Sequence, residues 1–220
     1  LPVGVDVNGY YVKSIEVRPF RLREEKAIGA FRAQSKGLTA GRLVAEILAT
    51  MCERVGPHEF GRMKKAEQLL AIHQMYMMDV LYTYFLIRIQ ALGSNMPLNV
   101  ACPNCRHNYT VDSDLNQLDV RVLEDPEQTD LSFEYELRDG LTVRGETGKV
   151  LTIGRMIWGA MDVAELEGAG GLNPANRDGA LLKAGIQAID GKPITLHDSE
   201  IDELSLFDKT GLMDEMTERS

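Results

Sequence analysis

The chain has few of the residues that stabilise small secreted domains or form membrane spans. Among its 220 residues there are three cysteines and one tryptophan, and aromatic residues make up 6%. Three cysteines are too few for a disulfide scaffold. The most apolar stretch, residues 80–87, lies between Asp79 and Arg88 and falls far short of the roughly 20 apolar residues that a membrane span needs. The chain also lacks a basic segment followed by an apolar run at its start, so we expect a protein without a membrane span that is made in the cytoplasm.

Positive charge is also scarce. Lys and Arg number 24 against 33 Asp and Glu, which gives a net charge of −9. Because phosphate contacts need clustered cations, we do not expect nucleic acid as a partner. The charge is unevenly distributed: residues 1–70 carry a net +4, residues 112–138 a net −7 and residues 190–220 a net −6. This separation favours association with other chains, since opposed fields steer docking.

Hydrophobic spacing predicts an α+β fold that is mainly helical. The start, with Asn8-Gly9 as a turn, is typical of a short β segment. No Pro or Gly interrupts residues 62–92, so we expect a long central helix of about 45 Å there. We also predict a hairpin turn at Asp139-Gly140 and helices over residues 149–167 and 181–189, with a last helix from about Asp198.

The same sequence features divide the chain into three predicted domains. Residues 1–97 form a β start followed by the helical domain. Residues 98–148 form a β-rich middle insertion with a Cys-x-x-Cys turn and the hairpin. Residues 149–220 form a C-terminal helical region.

The sharpest chemical motif is Cys102-Pro-Asn-Cys105. Two thiolates with this spacing can bind one structural zinc, which takes four ligands. The sequence has no second Cys-x-x-Cys, so the remaining ligands would come from elsewhere in the chain: His107, Cys52, His58 or His73. The alternative is a turn that keeps its shape without metal.

Catalytic motifs are absent from the sequence. GETGKV at 145–150 lacks the leading Gly and the final Ser or Thr of a phosphate-binding loop, and no His-Glu-x-x-His or Gly-x-Ser-x-Gly occurs. A metal-dependent enzyme would need three protein ligands and an open position beside a general base. We therefore predict a protein that is not an enzyme. A zinc-ribbon-like adaptor or regulator that binds a protein or nucleic acid is the alternative to a structural role.

The order of several segments carries a resemblance. LPVG at the start is followed by VRPFRLREEKAIGA, a helix ending at Cys52, DVLYTYFLIRIQALG, the CPNC turn and the acidic DSDL. This order resembles the phage baseplate-hub proteins of T-even-type contractile tails and their relatives in other tailed phages, over roughly residues 1–120.

The resemblance implies a structural or assembly component of a contractile tail baseplate, located in the virion and without catalytic residues. It implies other tail proteins as partners and multiple copies in a symmetric assembly. A zinc ion at Cys102 and Cys105 would stabilise the β-rich insertion.

Overall fold

The computed structural model describes residues 1–7, 10–35, 37–102, 104–105, 107–124, 131–168 and 173–219. The predicted turn at Asn8-Gly9 lies outside these residues. The helices include α1 (Leu22–Gln34), α2 (Ala40–Met51), α3 (Lys65–Gln74), α4 (Met77–Leu92), α5 (Trp158–Glu167), α6 (Pro174–Gly185), α7 (Asp198–Ile201) and α8 (Leu206–Arg219).

The strands of the described residues form four antiparallel sheets. The strands are β1 (Val5–Val7), β2 (Tyr10–Val12), β3 (Ile15–Val17), β4 (Cys52–Val55), β5 (His58–Glu59), β6 (Asn95–Ala101), β7 (Asn108–Asp114), β8 (Ser132–Val143), β9 (Glu146–Gly154), β10 (Ile186–Ile189) and β11 (Lys192–Pro193). The pairings are β1 with β2, β3 with β4 and β5, β6 with β7, and β11-β10-β9-β8 in that order.

The first core packs α2, α3 and α4 against β4. Its fully buried side chains include Leu48, Phe60 and Val80, and Trp158 enters it from α5. Burial of an aromatic or aliphatic side chain of this size stabilises the fold by about 1.5–3 kcal/mol. Trp158 also donates its indole N–H to the carbonyl of Gly41 at 3.1 Å, which fixes α5 across the start of α2.

The predicted long central helix is wrong, because the helix is interrupted at Met75 and Tyr76. Both residues have extended backbone, and Tyr76 forms a β-bridge with Ile157. The Met77 N–H donates to Met156 O at 2.9 Å, and the Trp158 N–H donates to Met75 O at 2.8 Å. These bonds to a distant segment replace helical ones, so two helices, α3 and α4, form within residues 62–92 and are separated at Met75 and Tyr76.

The second core lies on the four-stranded sheet. Alternate residues of β9, Leu151 and Ile153, are fully buried, as are Leu182 of α6 and Leu212 of α8. This alternation has the period of a strand, with a repeat of two residues. The predicted helix over residues 149–167 is therefore wrong in its first half, where β9 continues to Gly154, and helix α5 begins only at Trp158. The predicted helix over residues 181–189 likewise ends at Gly185, and residues 186–189 form β10.

The predicted turn at Asp139-Gly140 is also wrong. Strand β8 runs through it to Val143, and the chain reverses at Arg144 and Gly145, which both have positive φ. The register between β8 and β9 shifts between Glu136 and Leu141. Gly140, at φ +83°, therefore lies in an irregular segment of the strand, where glycine adopts a left-handed conformation without a Cβ clash.

The predicted fold class, an α+β fold that is mainly helical with a long central helix, is thus corrected. Strands in four sheets accompany the helices, and no single long helix runs through the described residues. The division into three domains stays a prediction. In the described part of the chain, no helix has the length and apolar character to cross a membrane.

Candidate functional site

The β6–β7 hairpin is the candidate interaction surface. Its two seven-residue strands pair from Asn95 with Asp114 to Ala101 with Asn108 and join no other strand among the described residues. At ~3.3 Å per residue, each strand is ~23 Å long. Nearly every residue of both strands is exposed, so the hairpin projects from the protein instead of covering a core.

The base of the hairpin is held by the end of α4. Gly93 ends that helix with φ +83°, a conformation that glycine adopts without strain. The Arg88 guanidinium donates to the carbonyl of Gly93 and, at 2.8 Å, to the carbonyl of Asn95. The Leu115 N–H donates to Ser94 O at 2.9 Å, and Leu115 itself is buried. The hairpin therefore leaves the protein in a defined direction.

One face of the hairpin is apolar. Leu98 lies opposite Val111, and Val100 lies opposite Tyr109. Opposite residues of antiparallel strands share a face, so these four side chains form one patch, the apolar hairpin face. Their exposed fractions range from 37% to 47%. An isolated two-stranded hairpin is marginally stable in water, and an exposed apolar patch marks an interaction site.

The other face of the hairpin is polar. Asn99 lies opposite Thr110, whose hydroxyl donates to the Asn99 side chain at 3.0 Å, and Asp112 lies opposite Pro97. At the base, the Ser94 hydroxyl and the Asn116 N–H lower the pKa of Asp114 below its ordinary value, so this carboxyl stays ionised. The hairpin thus combines an apolar face with negative charge near its base.

The tip of the hairpin carries the cysteine pair. Cys102 follows β6 and is partly exposed, Cys105 is exposed, and neither forms a disulfide. Backbone N–H groups of Cys105 and Asn104 donate to the Cys102 sulfur, and the Cys105 thiol does so as well. Together these donors lower the pKa of Cys102. The Cys102 N–H donates in turn to the His107 carbonyl at 2.9 Å, which closes the turn.

The other predicted metal ligands do not join this pair. Cys52 is 1% exposed and belongs to the first core, where burial raises its pKa to about 12, so it remains a thiol. His107 is exposed beside the turn. In the described ranges, no three His, Cys, Asp or Glu side chains are close enough to hold a metal ion. Zinc binding at Cys102 and Cys105, and the zinc-ribbon-like adaptor alternative, stay predictions.

Buried carboxylates are the second feature of the molecule, and they serve the fold. Asp79 is fully buried and accepts from the Val3 and Gly4 N–H groups, each at 2.8 Å. Asp162 on α5 accepts from the Thr39 hydroxyl at 2.8 Å, at the start of α2. Several acids of this chain therefore bind its own backbone and helix ends. Charge counting alone could not distinguish them from acids on a partner-facing surface.

Sequence reasoning located the strands around the cysteines but missed the exposed apolar face. The signal is present: Leu98 and Val100, then Tyr109 and Val111, alternate with polar residues on both sides of the turn. In a sequence, the same alternation is typical of a strand whose apolar side packs on a core. Only the tertiary structure shows that this side stays exposed.

Comparison with known proteins gives one finding. The family described as T4 bacteriophage base plate protein matches residues 8–144, which include the hairpin and most of the first core. No curated protein and no solved structure matches the chain.

Proposed function

Because the chain belongs to the T4 bacteriophage base plate protein family, we propose that it is a structural or assembly component of a contractile tail baseplate. Family membership supports a position in the phage tail, other tail proteins as partners and a role without catalysis. The chain acts through contacts between proteins, in several copies within a symmetric assembly.

The apolar hairpin face is the observation that carries this proposal. Leu98, Val100, Tyr109 and Val111 are presented on an arm whose base is fixed by Arg88. Since the base is fixed, little conformational entropy is lost when a partner covers the arm. We infer that a neighbouring baseplate protein binds this face.

The charge around the face defines the chemistry of that partner. Asp112 and Asp114 are exposed near the base of the hairpin, and the carboxyl of Asp114 stays ionised because the Ser94 hydroxyl and the Asn116 N–H lower its pKa. A complementary surface therefore has an apolar patch bordered by Lys and Arg, because opposite charges steer docking and like charges prevent it.

Paired substitutions on the two faces of the hairpin test this assignment. Leu98→Asp with Val111→Asp places two charges on the apolar face, and Asn99→Asp with Thr110→Asp places two on the polar face as the matched control. Each variant is supplied in trans to a phage that lacks its own copy of the chain. Infective titre and the number of tailed particles in electron micrographs are then measured.

We expect the apolar-face variant to lower both readouts at least tenfold, because burying carboxylates in an apolar contact costs several kcal/mol. The polar-face variant should stay within about threefold of the unmodified chain. Thermal unfolding of the purified variants checks that both remain folded. Equal effects of the two variants, or full activity of a folded apolar-face variant, would overturn the assignment.

A further inference from the structure

Helix α1 leaves one of its faces uncovered. Leu22, Lys26 and Gly29 follow one another at intervals of four and three residues, so they lie on the same side of the helix. All three are exposed, Leu22 to 63%, and a Cβ placed on Gly29 would meet nothing within 4 Å. These three residues, the α1 face, combine an apolar side chain, open space above a glycine and a positive charge.

The start of α8 leaves a second apolar surface uncovered. Leu206 and Phe207 are adjacent and are 76% and 61% exposed. The Arg138 guanidinium lies 4.6 Å from the centre of the Phe207 ring and supports it from one side. Asp202 and Glu203, shortly before the helix, are exposed as well. This apolar pair with its two acids, the α8 start, has the composition of an interaction site, because an apolar patch is bordered by polar groups.

The two surfaces carry opposite charges that the chain does not neutralise itself. Among the described residues, no ion pair includes Lys26, Asp202 or Glu203. Residues 21–32 contain four basic and two acidic residues, whereas residues 198–208 contain five acidic residues and no Lys or Arg. Opposite fields of this kind steer two surfaces together and set their orientation.

Within one chain, these two surfaces do not cover each other. Helix α1 packs on α2 beside the first core, and α8 packs on β8 in the second core. The side chains of Leu22 and Phe207 both remain more than half exposed. Every copy of the chain therefore presents both surfaces, and a second copy offers the complement of each.

We propose that the α8 start of one copy docks on the α1 face of the next copy. Phe207 packs over Gly29 beside Leu22. Glu203 pairs with Lys26. Because the two surfaces differ, the contact joins copies head to tail, and such contacts close into a ring or continue as a row. The contact deepens the proposed function, on which it rests, since that function expects several copies, and it leaves the apolar hairpin face to a different protein.

Sedimentation of the purified full chain over a dilution series tests this contact. At roughly 0.05 M salt the mass should rise with concentration above the 24.5 kDa of one chain. At roughly 0.5 M salt the association should weaken, because salt screens exposed charges. A chain that stays monomeric at every concentration in low salt would overturn the proposal.

Charge reversal tests the pairing of the two surfaces. Lys26→Glu and Glu203→Lys should each weaken association at least about tenfold, because each places like charges opposite each other. An equimolar mixture of the two variants should associate again, since the reversed α1 face of one chain meets the reversed α8 start of the other. Single variants that associate normally, or a mixture that associates no better than its components, would overturn the pairing.

A pair of glycine variants tests the shape of the contact. Gly29→Leu fills the space that Phe207 occupies and should weaken association at least about tenfold. Gly61→Leu is the matched control, because Gly61 is also exposed and has equally open surroundings. Circular dichroism checks that both variants are folded. Equal association of the two variants would contradict the proposed contact.

The hairpin variant separates this contact from the proposed function. Leu98→Asp with Val111→Asp should associate in sedimentation as the unmodified chain does, even where it lowers infective titre. Loss of association in this variant, with normal association of Gly29→Leu, would assign the contact between copies to the hairpin and overturn the docking of α8 on α1. Titre and particle counts of the hairpin variants test the proposed function separately, so the failure of one is distinguishable from the failure of the other.

Discussion

Replacing Asp208 should weaken the attachment of α8 to the four-stranded sheet. The Asp208 carboxylate is 1% exposed and accepts from the N–H groups of Arg138 and Asp139 at 2.8 and 3.1 Å, and from the Ser205 hydroxyl at 3.0 Å. The two backbone donors belong to the irregular segment of β8, where pairing with β9 is interrupted. The Asp208 side chain therefore accepts hydrogen bonds both from strand β8 and from Ser205, the residue before α8.

The size of the effect follows from these contacts. A hydrogen bond to a charged group contributes about 1.5–3 kcal/mol, and an unsatisfied buried donor costs about 1–3 kcal/mol. Water can reach the exposed residues Arg138 and Asp139 after the change, which favours the lower part of these ranges. We expect Asp208→Ala to lower the free energy of unfolding by roughly 2–4 kcal/mol.

The effect should depend on pH with a definite sign. Burial of Asp208 opposes its ionisation, but the Arg138 and Asp139 N–H groups and the Ser205 hydroxyl outweigh it and hold its pKa below the ordinary value. A carboxyl whose pKa is lower in the folded than in the unfolded chain stabilises the fold at pH values above its unfolded pKa of about 3.9. This contribution is lost as the pH falls through the pKa of the folded state. The difference between the unmodified chain and Asp208→Ala should therefore be largest near neutral pH and shrink below about pH 4.

Urea unfolding followed by circular dichroism at pH 7 and below pH 4 measures this difference. Asp214→Ala is the matched control, because it removes the same charge from an exposed position of α8 and should cost less than about 0.5 kcal/mol. Fluorescence of Trp158, the single tryptophan, reports the first core separately. A loss below about 1 kcal/mol, or one that does not change with pH, would refute this reasoning.

Two further predictions concern other fixed points of the fold. Asp79→Ala should lower the free energy of unfolding by about 2–4 kcal/mol, because the buried N–H groups of Val3 and Gly4 lose their acceptor; Tm within a degree of the unmodified chain would contradict it. Gly140→Ala should be more destabilising than Gly145→Ala: both positions have positive φ, but a Cβ at Gly140 would lie 2.9 Å from the Thr147 methyl group, while Gly145 has open space. Urea midpoints for the two variants check the order, and equal midpoints would show that the contact with Thr147 relaxes freely.

Local signals predict some elements correctly and fail where contacts with distant segments decide the structure. The helix expected to end at Cys52 is found as α2, which ends at Met51 with Cys52 as its C-cap, because neighbouring residues determine its cap and its apolar spacing. The break at Met75 and Tyr76 was not predictable, since nothing in residues 62–92 disfavours a helix and the competing hydrogen bonds come from residues 156–158. Residues 149–154, the second part of β9, are predicted as a helix because a short apolar run has no unambiguous period.

The sequence by itself determined the class of protein and the candidate metal ligands. The order of the segments from LPVG to DSDL pointed to a phage baseplate protein, and the family match over residues 8–144 confirms the resemblance. Cys102 and Cys105 are recognisable from their spacing alone. Only the tertiary structure decided that Cys52 lies in a core, that Asp79 and Asp208 bind backbone N–H groups, and that the hairpin is exposed on both faces. The physical reason is that burial and exposure depend on which distant segments pack together, and local sequence does not encode those contacts.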